Sequence, residues 1–284
     1  MSSKQEDVTR EVLESVRSCL GGPTPDGESW SFEFGEHLES NWGAVYGGAV
    51  AAAMLSVARC AGPACSPRSL HVQIVRSVPR GRAHAEATVR HAGRTVVTVQ
   101  VDLYDSRRKL AATGLATLVA PDAVVGELHD TSATPFDVRT TPNPLPIRTP
   151  IHDSLRMIRE EDGLSLRAWG ENVRPNVGGT KSPIGTITVP WDSLESTGPE
   201  AACLAADPLV GMAVYWSGLP HEVLAPNTDL SLRFSTAPAT RVLETSGTVL
   251  SVQNGTATVG IEVQAGDQQL AHGLSTALLL PPRS

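Results

Sequence analysis

Asp229 opens the alternating stretch Asp229-Leu230-Ser231-Leu232-Arg233-Phe234. Strand periodicity sets Asp229 with Ser231 and Arg233 on one face and the three apolar residues on the other. A carboxylate so placed can accept a hydrogen bond or a proton from water, and a merely solvated strand face carries the same pattern. Gly47 and Gly48 open a run of small apolar residues. Backbone amides at such a helix start can approach and polarise a carbonyl oxygen, and the same two glycines can instead allow close helix packing. Asp207 precedes Pro208, a pairing expected at a helix start with the aspartate as an ordinary N-cap. Arg107-Arg108-Lys109 reads as a solvated hairpin turn, with contact to phosphates as the alternative. His71, His84, His91, His221 and His272 lack metal-ligand spacing, so no metal site is expected. His272 and Ser275, three apart on a strand, face opposite sides, and no Gly-x-Ser-x-Gly elbow occurs.

The chain that positions these residues repeats itself. Pro79 recurs as Pro238, Arg82 as Arg241, and Gly114-Leu115-Ala116-Thr117 as Gly273-Leu274-Ser275-Thr276, always 159 positions on. Residues 47–61 read as a helix with almost no polar face, which implies burial on nearly all sides. Strands follow at 70–75, 83–90, 95–104 and 110–119, after a first strand at 30–34. The connections are too short for crossover helices, so the sheet is expected to be antiparallel and curled around the helix. The second copy repeats the scheme with strands at 164–173 and 184–189, a helix at 208–217, and strands at 229–234, 241–252, 256–264 and 269–280. Asn254-Gly255 marks a tight hairpin between the last pair but one. Residues 7–20 read as a peripheral helix. The expected organisation is one unit over 1–122, a linker over 123–150 rich in Pro, Thr and Asn, and a second unit over 151–284.

With 284 residues and a net charge of −7, the chain has core-forming length and no basic footprint for nucleic acid. A small organic substrate fits better. Cys19, Cys60, Cys65 and Cys203 show no paired spacing and read as buried thiols of a reducing compartment. The first ten residues are polar and lack the apolar core of a secretion signal, so a cytoplasmic location is expected. Residues 43–62 are long enough to span a bilayer but contain Arg59 and little beyond Ala, Gly and Val, which favours a helix buried in protein.

The Gly-Gly pair in Asn41-Trp42-Gly43-Ala44-Val45-Tyr46-Gly47-Gly48, the strand end Arg76-Ser77-Val78-Pro79-Arg80-Gly81 and the run His91-Ala92-Gly93-Arg94-Thr95-Val96 resemble the hotdog superfamily. Two such units in one chain are similar to the double-hotdog acyl-CoA thioesterases of the TesB type, over about residues 26–282. The resemblance implies an α+β tandem double hotdog, each half a long antiparallel sheet wrapped around a central helix. It also implies hydrolysis of an acyl thioester on coenzyme A or an acyl carrier protein, by an oriented water and without a cofactor. In lipid or polyketide metabolism the alternatives are a hotdog dehydratase, hydratase or cyclase, or a non-catalytic acyl-binding module. The family's aspartate, threonine and glutamine are carried over to Asp229, Thr248 and Thr276, the last a departure because threonine replaces the amide. Gly47 and Gly48 take the substrate-binding role. Moving back by 159 gives Leu70, Val89 and Thr117, so a carboxylate stands in one copy alone and a single site is expected. Hotdog relatives commonly associate through sheet edges or faces, which admits a homodimer.

Overall fold

The computed structural model describes residues 24–26, 29–35, 38–39, 43–62, 65–120, 165–175, 181–188, 198–216, 225–235 and 242–281. The expected helix at 7–20 and linker at 123–150 lie outside these residues. The first half holds β1 (Thr24–Asp26), β2 (Ser29–Phe34), helix α1 (Gly47–Ala61), β3 (Ser66–Ile74), β4 (Gly81–Ala92), β5 (Val96–Tyr104) and β6 (Leu110–Val119). The second holds β7 (Ser165–Pro175), β8 (Lys181–Thr188), helix α2 (Gly198–Trp216), β9 (Asn227–Phe234), β10 (Val242–Gln253), β11 (Thr256–Ala265) and β12 (Gln268–Leu278).

The strands form one twelve-stranded sheet in the order β1-β2-β4-β5-β6-β3-β9-β12-β11-β10-β8-β7. The second six strands are the first six in reverse, so the duplication in sequence becomes a pseudo-dyad in space. The seam is the antiparallel pair β3·β9, with Leu70 opposite Leu232 and Val72 opposite Leu230. Alternation sets the inner face as expected: Val97, Val99, Val101 and Leu103 of β5 are buried, as are Ala257, Val259, Ile261 and Val263 of β11. Asn254 and Gly255 turn the β10–β11 hairpin with φ of 51° and 75°, the left-handed pair that a tight hairpin needs.

Helix α1 occupies the predicted residues. From Gly48 to Ala58 every residue is buried, because Ala and Val side chains let the sheet and α2 approach from several sides. Helix α2 departs from expectation. It runs from Gly198 to Trp216 with Pro208 inside it, where a start at Pro208 was expected. Proline cannot donate to the Leu204 carbonyl, yet burial of Ala201, Ala202, Ala205 and Ala206 before it and Leu209 and Val210 after it holds the helix through that point.

The two helices pack on each other through their small residues. A Cβ on Gly48 would fall well inside contact distance of the Cys203 carbonyl oxygen and 2.8 Å from Asp207 Cβ. Gly48 and Asp207 are 159 apart, so duplicated positions meet on the pseudo-dyad, glycine making room for the aspartate. Farther along, Arg59 Nη1 bonds both oxygens of Glu200, at 2.8 and 2.9 Å. Both side chains are buried, so the charge that α2 brings inside is neutralised there.

Candidate active site

Asp207 lies in the middle of α2, only 5% exposed, and faces the start of α1. Helix α1 begins without a side-chain cap of its own and has no acidic residue in its first turn. Its orphan amides are met from the other helix: the Gly47 and Gly48 N–H groups donate to the Asp207 carboxylate. Gly47 is needed for this approach, since a Cβ there would stand 2.7 Å from Asp207 Oδ1 and 2.9 Å from Ile74 Cδ1. Burial pushes the Asp207 carboxyl above its usual range, and the Asn227 amide and the two backbone amides oppose the shift without cancelling it. The hydroxyl of Tyr46, the residue before α1, is also pushed up, first by burial and then by the Asp207 charge.

Asn227 completes the group. Its Nδ2 donates a short hydrogen bond to Asp207 Oδ1, while its own Oδ1 is buried with no partner among the described residues. Simple alternation would put Asn227 on the same sheet face as Asp229. A bulge prevents this: β12 pairs Thr276 with Asp229 but Ala277 with Asn227, leaving Thr228 as the extra residue. The bulge turns Asn227 inward to α2 and leaves Asp229 on the outer face. Thr228 Oγ1 ties the bulge down by donating to the Thr276 carbonyl at 3.1 Å.

The residues singled out from sequence fall in two places. Asp229 and Thr276 are direct neighbours across β9·β12, and the Thr276 N–H donates to Asp229 Oδ1 at 3.2 Å. Thr248 is not with them. It pairs with Gly260 on β11, and β11 and β12 stand between its strand and β9, about 14 Å at ordinary strand spacing. Gly247 abuts the Leu209 carbonyl of α2, so Thr248 beside it points away from the helix. The register therefore does not assemble the expected trio of Asp229, Thr248 and Thr276 around one water. Gly47 and Gly48 do lie at a polar centre, with their amides turned to Asp207. That centre contains Asp207, expected as an N-cap, and Asn227, which the sequence reading passed over. The available signal was a lone carboxylate within Ala205-Ala206-Asp207-Pro208-Leu209, at the position matching Gly48 in the first copy.

Comparison with known proteins agrees with this architecture. Residues 38–119 match the family described as the acyl-CoA thioesterase N-terminal domain. No functionally curated protein matches the chain. Among solved structures, a tesB protein of Mycobacterium avium subsp. paratuberculosis superposes with a TM-score of 0.67 at 14% identity, covering 96% of this chain and all of that one. An acyl-CoA thioesterase II of Mycobacterium marinum gives 0.66 at 15% identity over 96% and 98% of the two chains. A conserved hot dog fold protein of Alicyclobacillus acidocaldarius gives 0.65 at 16% identity over the full length of both. The domain match over residues 38–119 and the mirrored tandem sheet over both halves give the chain a double-hotdog fold whose first half is similar to the acyl-CoA thioesterase N-terminal domain.

Proposed function

We propose that the protein hydrolyses an acyl-CoA thioester with a water held between Asp207 and Asn227. The observation that carries this reading is a buried carboxylate whose partners among the described residues are all neutral: the Asn227 amide and the Gly47 and Gly48 N–H groups. Such a group keeps its basicity, whereas a carboxylate paired with arginine loses it. The unpartnered Asn227 Oδ1 supplies a second acceptor beside it, so a water donating to both is fixed in direction. In the reaction, one water proton passes to Asp207 as the water oxygen bonds to the thioester carbonyl carbon. The tetrahedral oxyanion then re-forms its carbonyl, the C–S bond breaks, and the departing thiolate takes the proton from Asp207. A free acid and coenzyme A thiol result, and the enzyme returns to its starting state. In this scheme Gly47 and Gly48 orient the base instead of polarising the carbonyl.

Asp229 is the competing base. Its Oδ1 already accepts the Thr276 N–H at a bulge, which favours a role in shaping the sheet. The two are separated by substitution. Asp207→Asn keeps one acceptor oxygen for the α1 amides but cannot serve as the base, and is expected to lower kcat by about 10²–10⁴-fold with an unchanged circular dichroism spectrum. Asp229→Asn is expected to stay within a few-fold of the parent. The reverse pattern would move the chemistry to Asp229. Assaying free thiol also distinguishes hydrolysis from dehydration or hydration, which leave the acyl chain on its carrier.

A further inference from the structure

The hairpins that close the two halves differ in charge. Between β5 and β6 stand Arg107, Arg108 and Lys109, all exposed; 159 positions later stand Gly266 and Asp267, between β11 and β12, and Gln268, which opens β12. They also differ in backbone. The later turn gives its left-handed position, φ 66°, to Gly266, whereas the earlier one holds Arg108 at φ 57°, where a glycine would be the easier residue. Asp105 keeps it there: Oδ1 accepts the Arg107 and Lys109 N–H groups, each at 2.9 Å, and its carbonyl accepts the Arg108 N–H at 2.9 Å. Two more cations share the corner. Arg76 acts electrostatically on Asp105, and Arg82 and Arg108 both act on His84. Burial first, and then those two guanidiniums, lower the His84 pKa against the weaker opposing pull of Asp26.

This corner lies at the end of the sheet where α1 begins. Ile74 abuts Gly47, and the next two residues, Val75 and Arg76, both donate their N–H groups to the Ala111 carbonyl. From Ala112, opposite Ile74, back to Arg108 is four residues, at most about 13 Å of extended chain. Gly47 also meets Asp207, so the basic groups and the buried carboxylate lie toward the same end of the sheet.

We propose that Arg76, Arg82, Arg107, Arg108 and Lys109 bind the phosphate groups of the coenzyme A that carries the acyl chain. This rests on the thioesterase reading above. Guanidinium forks suit phosphate oxygens, and a compact corner suits a small polyanion. An acidic carrier protein would instead meet the repulsion of a chain with net charge −7 over a broad face.

The test is the triple variant Arg107→Gln, Arg108→Asn, Lys109→Gln, altered only at exposed turn positions. With an acyl-CoA its KM should rise about tenfold or more at nearly unchanged kcat, because charge-assisted phosphate contacts are lost. With the same acyl group on N-acetylcysteamine, which has no phosphate, kcat/KM should not change. An unchanged KM for acyl-CoA overturns the proposal. So does a loss seen with an acyl carrier protein alone, which would assign the corner to a protein partner. If the parent hydrolyses neither thioester, the activity reading fails and the corner is judged by calorimetry with coenzyme A. Binding to the parent that weakens about tenfold in the variant upholds it, and equal binding or none overturns it.

Discussion

Asp207 and Glu200 lie two turns apart on one helix, both buried, and their surroundings give them opposite characters. Glu200 is neutralised by Arg59 Nη1, whereas Asp207 meets amides alone among the described residues. A buried charge with only dipoles around it is costly, which is why the Asp207 pKa is raised. The sign has two consequences. As a base, Asp207 works only when ionised, so the acid limb of kcat/KM should fall off above the usual aspartate range. For stability, a pKa higher in the folded than in the unfolded state gives a contribution that is full below the usual aspartate range and lost as pH rises through the raised value. Asp207→Asn removes that loss. Its melting temperature at neutral pH is therefore expected to equal or exceed the parent's while turnover collapses, as heating scans and assays on the same preparations would show. A variant both inactive and markedly less stable would make Asp207 a helix cap and nothing more.

The helix pair sets the geometry on which that residue depends. Arg59 and Glu200 tie α1 to α2 with both charges inside, so removing one leaves the other stranded. Arg59→Met should cost about 3–5 kcal/mol in urea unfolding, and pairing it with Glu200→Leu should recover most of that loss. Failure of the double variant to recover would mean that Arg59 acts through packing. Helix α1 and the strands were legible in the sequence because period and composition agree there: Gly47 to Ala58 is small or apolar throughout, and β5 and β11 alternate residue by residue. Helix α2 was legible only in its second half, because Asp207-Pro208 carries the local signature of a helix start. Packing against α1 overrides that signature, and the same misreading hid the site by making Asp207 a cap. Asn227 was illegible for another reason. One extra residue, Thr228, reverses which face Asn227 presents, and a bulge leaves no trace in alternation counted along a single strand.

At the scale of the molecule, the duplication brings the polar centre at Asp207 together from two unequal copies. The first copy gives the uncapped start of α1 and the glycine that admits a carboxylate; the second gives Asp207 and Asn227. Two copies with aspartate at both positions 48 and 207 would bring like charges together where the helices touch. Fusion of the halves permits the asymmetry, since each copy can then change alone. It also ties the halves mechanically. The β3·β9 ladder continues one sheet through the seam, and the α1–α2 contact carries the buried ion pair on the sheet's inner side. Neither half can open without exposing core that the other covers. Thermal unfolding is therefore expected as one transition with matching calorimetric and van't Hoff enthalpies, and with loss of activity on the same curve. Two resolved transitions would show that the seam is weaker than the halves it joins. Activity surviving the first of them would mean that the catalytic group is contained within one copy.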